Sequence, residues 1–221
     1  MPPTIHFVRH GQGVHNTGSG NYNISDPELT ALGIDQCRAL RTSFPNPDAI
    51  QLVVASPLRR TLDTALHGFE PVVKRLNKPI IALPELQETG EIPCDTGSPV
   101  HVLVEKYKDL PVDLGLLDGE WHVKRGKYAQ TDAKISARAK VARQWLRARE
   151  ESDIVVVTHG GYLHHITEDW SDAGKYNGEC FYLFKRCLFL LVSYVHHVCV
   201  ATPAGAALDI VKGKRCIKAL T

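Results

Sequence analysis

Apolar residues along the 221-residue chain fall into short unbroken runs, separated by longer stretches with helical periodicity. Thr4-Ile5-His6-Phe7-Val8, Leu52-Val53-Val54-Ala55, Ile80-Ile81-Ala82-Leu83 and Ile154-Val155-Val156-Val157-Thr158 are such runs, most of them rich in β-branched side chains. Runs of this kind without polar alternation predict buried strands covered on both faces. Thr30 is a candidate N-cap for a helix carrying Leu32, Gln36 and Leu40, and Pro57 suits the first turn of a second helix. From Asp132 to Glu150, Ile135, Ala139, Ala142 and Leu146 form one stripe at helical spacing. Residues 90–130 are rich in Gly and Pro and predict an irregular lid or insertion. Strands separated by helices predict an α/β fold, a three-layer sandwich with a mostly parallel central sheet and helices on both faces.

Composition narrows the partners. The formal net charge is +2 with histidines neutral, and no basic arm or charge run occurs. Nucleic acid is therefore not an expected partner. Met1-Pro2-Pro3 leads straight into the first strand, which leaves no signal peptide in view. The six cysteines, at 37, 94, 180, 187, 199 and 216, include no C-x-x-C pair. No metal site or disulfide framework is expected, and a cytoplasmic location fits better. Charge also divides the chain. Residues 1–179 hold 20 of the 26 Lys/Arg and 23 of the 24 Asp/Glu, whereas the rest holds six basic residues and Asp209. The expected division is a catalytic domain over 1–179 and an atypical tail over 180–221, unpacked or membrane-associating. The apolar run Leu188–Ala201 is broken by Ser193, His196 and His197, so a membrane anchor is the poorer reading.

The candidate chemistry lies at the strand ends. The first strand delivers Arg9-His10-Gly11, the second Ser56-Pro57-Leu58-Arg59-Arg60-Thr61, and the late one His159-Gly160-Gly161. Ligands in α/β sheets sit beyond the carboxyl ends of strands, so imidazole and guanidinium groups from three strands can converge on one anion. A histidine there can attack phosphorus, and a neighbouring arginine offers a planar fork of donors to phosphate oxygens. Gly11 permits a sharp turn and brings backbone N–H groups near the anion. Of Arg59 and Arg60, adjacent on a helix, one should reach the pocket. His159 would stabilise charge on the equatorial oxygens. The leaving oxygen needs a proton, for which Glu85, Glu88, Glu91 and Asp95 all follow a buried strand. His164 and His165 read as structural or surface residues.

These residues resemble the histidine phosphatase superfamily, which includes cofactor-dependent phosphoglycerate mutases and many phosphatases. Arg9-His10-Gly11 resembles its leading motif, with Asn16 where an asparagine commonly helps to bind phosphate. Leu29-Thr30-Ala31-Leu32-Gly33 resembles the family's helix start, and Ser56 to Ala65 its second-arginine segment, which selects Arg60. Leu86-Gln87-Glu88 matches the stretch holding the proton donor, and Thr158-His159-Gly160-Gly161 the second histidine. The resemblance runs from Thr4 to about Trp170, and Ala55 to Ala65, Pro93 to Ser98 and Thr158 to Trp170 are also similar to fungal phosphoglycerate-mutase-like proteins. It implies a phosphoglycerate-mutase-like fold, with His10, Glu88 and His159 as catalytic residues. Arg9, Gly11, Asn16, Arg60 and Gly160 would bind a small phosphorylated substrate, without metal or organic cofactor.

Three departures bear on activity. Mutases have serine where this chain has Gly13, and they follow the proton donor with arginine and aromatic residues. Here Glu88 is followed by Thr89-Gly90-Glu91, which would repel an acidic substrate. The tail, from Cys180 on, replaces the usual closing segment. Hydrolysis of a phosphate monoester is therefore the expected activity. A mutase or accessory biosynthetic enzyme and a catalytically impaired phosphate-binding protein are the alternatives.

Overall fold

The computed structural model describes residues 2–170, with 181–186 and 196–199 as backbone strands. In chain order the strands are β1 (Thr4–Arg9), β2 (Leu52–Ala55), β3 (Ile80–Ala82), β4 (Val112–Asp113), β5 (Asp153–Thr158), β6 (Phe181–Arg186) and β7 (His196–Cys199). The α-helices are α1 (Ala31–Ser43), α2 (Arg59–Gly68), α3 (Glu70–Leu76), α4 (Val100–Tyr107), α5 (Asp132–Arg147) and α6 (Gly160–Thr167). The sheet order is β4-β3-β2-β5-β1-β6-β7. β1 to β5 run parallel, while β6 lies antiparallel to β1 and β7 antiparallel to β6.

The unbroken apolar runs have a simple cause: both faces of the sheet are covered. Val53, Ala55, Val155 and Val157 face a core built with Leu40, Leu62, Phe69 and Leu103 from α1, α2, α4 and the turn before α3. Their neighbours Leu52, Val54, Ile154 and Val156 face Ile135, Ala139, Ala142 and Leu146 of α5, with Leu163 and Ile166 of α6. Successive residues thus point to opposite helical layers, as the period of a strand requires. The predicted three-layer α/β sandwich is the observed one.

Because β1, β2 and β5 are adjacent and parallel, their carboxyl ends open on one edge of the sheet. The Thr30 cap is present, its hydroxyl accepting from Gly33 N–H at 3.0 Å. Two expectations change. The insertion at 90–130 contains a helix, α4, which buries Leu103 and Tyr107. Segments of the expected outlying tail join the sheet, since β6 pairs with β1 from Thr4↔Arg186 to Val8↔Tyr182. An antiparallel strand fits there because β1 would otherwise present a row of unpaired backbone groups. The expected boundary at residue 179 falls outside the described residues, as does most of the apolar run Leu188–Ala201. Among the described residues no helix is long and apolar enough to cross a membrane.

Candidate active site

The three strand ends do meet. His10 N–H continues the ladder to Thr158 O at 3.0 Å, and Ser56 N–H donates to Val157 O at 2.9 Å. The rings of His10 and His159 lie 5.2 Å apart, edge to face. Arg9, His10, Arg60 and His159 are all buried.

The tautomer of His10 follows from its partners. Its Nδ1 lies 2.7 Å from the carbonyl oxygen of Gly11, which can only accept, so Nδ1 carries the proton. Nε2 keeps its lone pair and accepts from Arg60 Nε at 3.2 Å. Burial, then the Arg60 and Arg9 guanidiniums and His15, hold His10 well below the ordinary imidazole value, so the ring is neutral. His159 is neutral for the same reasons, burial leading and Arg60 following. Leu58 N–H reaches Ser56 Oγ at 3.5 Å, and Ser56 Oγ lies 2.8 Å from His159 Nε2. His159 Nδ1 is buried and has no hydrogen-bond partner among the described residues.

Arg60 and Arg59 separate as their positions on a helix require. The Arg60 guanidinium bonds His10, Cys94 O at 2.6 Å and Asp95 Oδ1 at 3.3 Å. Arg59 turns away to Asp26 and Glu28. Asp26 fixes this arrangement: fully buried, with φ of 43°, it accepts from Arg59 N–H at 2.9 Å and from Ser98 N–H and Oγ–H at 3.0 and 2.7 Å. Its carboxylate thus covers the exposed N–H end of α2, the helix that carries Arg60.

Of the four carboxylates weighed, two come to the site. Glu88 Oε1 accepts from Thr89 N–H at 2.8 Å, and Oε2 from Gly161 N–H at 3.3 Å, beside His159. A side chain on Gly161 would come within 2.7 Å of Glu88 Oε1, so that glycine makes room for the carboxylate. Asp95 pairs with Arg60 and is raised to about 6 by burial and by the charge of Glu88. Glu91 is exposed, and Glu85 meets Arg138 through its carbonyl.

The remaining sequence candidates have different work. Gly11 N–H donates to Thr64 Oγ1 at 3.0 Å, so it does not face an anion as expected. What the position needs is a missing side chain, because a Cβ there would lie 2.7 Å from Gly33 O. Asn16 is exposed, and its Oδ1 accepts from Gly13 N–H at 3.0 Å, which shapes the loop after β1. Gly160 opens α6, and the contact with Glu88 comes from the next residue. His164 is buried, with Nδ1 2.8 Å from Asp169 O, a structural position.

Three residues escaped the sequence reading. His15 lies with its ring 5.6 Å from that of His10. Arg138, nearly fully buried on α5, donates to the carbonyls of Glu85, Gln87 and Glu88 and stacks over Tyr162 at 4.6 Å. Lys124 donates to Gln87 Oε1 at 2.7 Å and Glu88 O at 3.2 Å, and burial, with Arg138, pushes its ammonium down to about 7. These last two clamp the backbone that presents Glu88. Among the described residues no cluster of His, Cys, Asp or Glu could hold a metal ion.

Comparison with known proteins agrees with this geometry. The family model of the histidine phosphatase superfamily (branch 1) matches residues 5–201. Phosphoglycerate mutase-like protein 1 of Arabidopsis thaliana is 31% identical over 203 residues, covering 73% of this chain and 70% of its own. A probable phosphatase of Schizosaccharomyces pombe is 31% identical over 160 residues, covering 71% and 74%. In fold, the chain is similar to the ecdysone phosphate phosphatase from Bombix mori in complex with tungstate, with TM-score 0.57 at 16% identity over 96% of this chain and 97% of that one. A putative α-ribazole-5'-P phosphatase from Escherichia coli gives 0.53 at 18% identity, over 91% and 97%. With a histidine at the end of β1, an arginine at the start of α2 and a second histidine at the end of β5, the chain belongs to the histidine phosphatase superfamily, branch 1.

Proposed function

We propose that this protein hydrolyses a small phosphate monoester through a phosphohistidine on His10, without metal or organic cofactor. The observation that carries the reading is the state of His10. Its proton is held on Nδ1 by Gly11 O, and Nε2 is a lone pair steadied by Arg60. A neutral imidazole with a fixed, unprotonated nitrogen is what attack on phosphorus requires.

In the first step Nε2 forms a bond to phosphorus as the bond to the ester oxygen breaks. Glu88, in its protonated form, gives its proton to that leaving oxygen. In the second step the Glu88 carboxylate takes a proton from water, whose oxygen attacks phosphorus and displaces Nε2. Arg9, Arg60 and the His159 ring, whose buried Nδ1 has no partner among the described residues, serve the phosphoryl oxygens throughout, so the positive charge comes from side chains. Arg60 is held from its far side by Cys94 O and Asp95, and its Nε–H bond to His10 Nε2 must open for that lone pair to reach phosphorus. Asn16, which shapes the loop after β1, and Gly160, which opens α6, support the pocket from behind. The probable phosphatase among the relatives supports a phosphatase-type activity.

Purified protein tested against a panel of phosphate monoesters should release phosphate in the presence of a chelator. Glu88→Gln should slow alkyl esters about a hundredfold and an aryl phosphate far less, since an aryl oxide leaves with little protonation. Equal losses on both substrates would assign the proton to another group, and activity restored only by added metal would overturn the mechanism.

A further inference from the structure

His15 is held where a packing residue would be poorly chosen. It sits in the short 3-10 turn Val14–Thr17 that follows β1, is 7% exposed, and has Nδ1 buried with no hydrogen-bond partner. A buried, unsatisfied ring nitrogen is destabilising, which an apolar ring of similar size would not be. The ring lies 5.6 Å from that of His10, tilted at 49°. Its Nδ1–Cε1 edge covers Gly13 so closely that a Cβ on residue 13 would come within 2.7 Å of both atoms. Gly13 N–H is in turn fixed by Asn16 Oδ1 at 3.0 Å. The loop therefore reserves the space of one side chain for an imidazole whose Nδ1 no described residue satisfies.

We propose that His15 is a third imidazole of the phosphoryl pocket, a substrate-binding residue whose ring N–H takes an oxygen of the phosphoryl group, and that residue 13 is glycine to seat that ring. The proposal rests on the phosphatase reading above. The ring is neutral, brought down to about 3 by burial, then by the Arg60 and Arg9 guanidiniums. It thus offers a donor without adding a third positive charge beside Arg9 and Arg60, and a phosphoryl oxygen supplies the acceptor that the loop lacks. An aliphatic or phenyl side chain would fill the same volume with no donor.

The test is tungstate binding to the full chain by calorimetry, with steady-state turnover of p-nitrophenyl phosphate alongside. His15→Phe, which keeps the volume but no donor, should weaken tungstate about tenfold or more, the scale of a hydrogen bond to a charged group. His15→Gln, which keeps an N–H, should recover much of that loss. Gly13→Ala should weaken tungstate on its own by displacing the ring, and should add little in the His15→Phe background. A His15→Phe protein that binds tungstate like wild type, or Gln and Phe variants that lose equally, would overturn the assignment while leaving the phosphatase reading intact. Wild-type protein that neither binds tungstate nor turns over any ester would overturn that reading and this one with it.

Discussion

At the scale of residues, the site depends on groups fixed from far along the chain. His10 has its proton assigned to Nδ1 by Gly11 O, and His159 is oriented by Ser56 Oγ, 2.8 Å from its Nε2. Arg138 acts at one remove. Its guanidinium satisfies the carbonyls of Glu85, Gln87 and Glu88, and hence sets where the Glu88 carboxylate stands. Arg138→Met would take that donor from the carbonyls of Glu85 and Gln87, with Glu88 O keeping Lys124, at a cost of about 3 kcal/mol. Turnover of alkyl esters should fall further than that of an aryl phosphate, as for loss of Glu88, while Arg138→Lys should recover part of it. Loss of stability with the ratio of the two substrates unchanged would reduce Arg138 to a structural residue. His10, Arg60, Glu88 and His159 were legible in the sequence because each stands in a short motif beside a strand. Arg138 and Lys124 were not, because their partners lie 36 to 53 positions away and no local pattern links them. His15 was hidden among polar loop residues, and its signal was the missing side chain at Gly13.

Among the elements, the strands were easiest to foresee, since β1, β2 and β5 are buried on both faces and carry nothing polar to interrupt them except His6. α4 was missed because Leu103 and Tyr107 alone are buried in it, while Val102 and Val104 are exposed. Two apolar contacts over eight residues make too short a stripe to distinguish from a loop. β6 was discounted on charge and cysteine content, neither of which reports on whether a strand can pair with β1. α2 begins just after Pro57, which precedes the cap position Leu58 rather than lying in the first turn, and the group that covers its N–H end, Asp26, comes from 33 residues upstream. Asp26→Ala removes a cap and the buried partner of Arg59 together, so it should cost about 3 kcal/mol in denaturant unfolding. It should also lower kcat/KM by loosening the helix end that carries Arg60. An Asp26→Ala protein as stable as wild type would show that the cap contributes nothing.

For the molecule as a whole, buried histidines in the pocket and in β1 make stability depend on pH. His6, His10, His15 and His159 all have folded-state pKa values below the ordinary 6.5, chiefly from burial. Below that value the unfolded chain takes up protons that the folded chain refuses. Stability is therefore fully present above about pH 6.5 and is lost as the pH falls, by up to about 1.4 kcal/mol per group per pH unit. Asp95, raised to about 6, acts in the opposite sense between its ordinary value of 3.8 and that pH, and Asp63 is raised likewise. These two carboxyls offset part of the loss. Thermal unfolding should thus show a melting temperature that drops from pH 7 to pH 5, and a flat or rising profile would contradict neutral histidines in the pocket. The three-layer sandwich with its convergent strand ends was readable from the apolar runs alone, because parallel order forces β1, β2 and β5 to open on one edge.

The central claim is that phosphorus becomes bonded to His10. Rapid-quench trapping with a 32P-labelled ester, or intact mass measurement after quenching at alkaline pH, reads this directly. The phosphoenzyme should be stable to alkali, labile to acid, located on His10, and absent from His10→Ala. A burst with no covalent phosphate, or a phosphoryl group found on another residue, would contradict it.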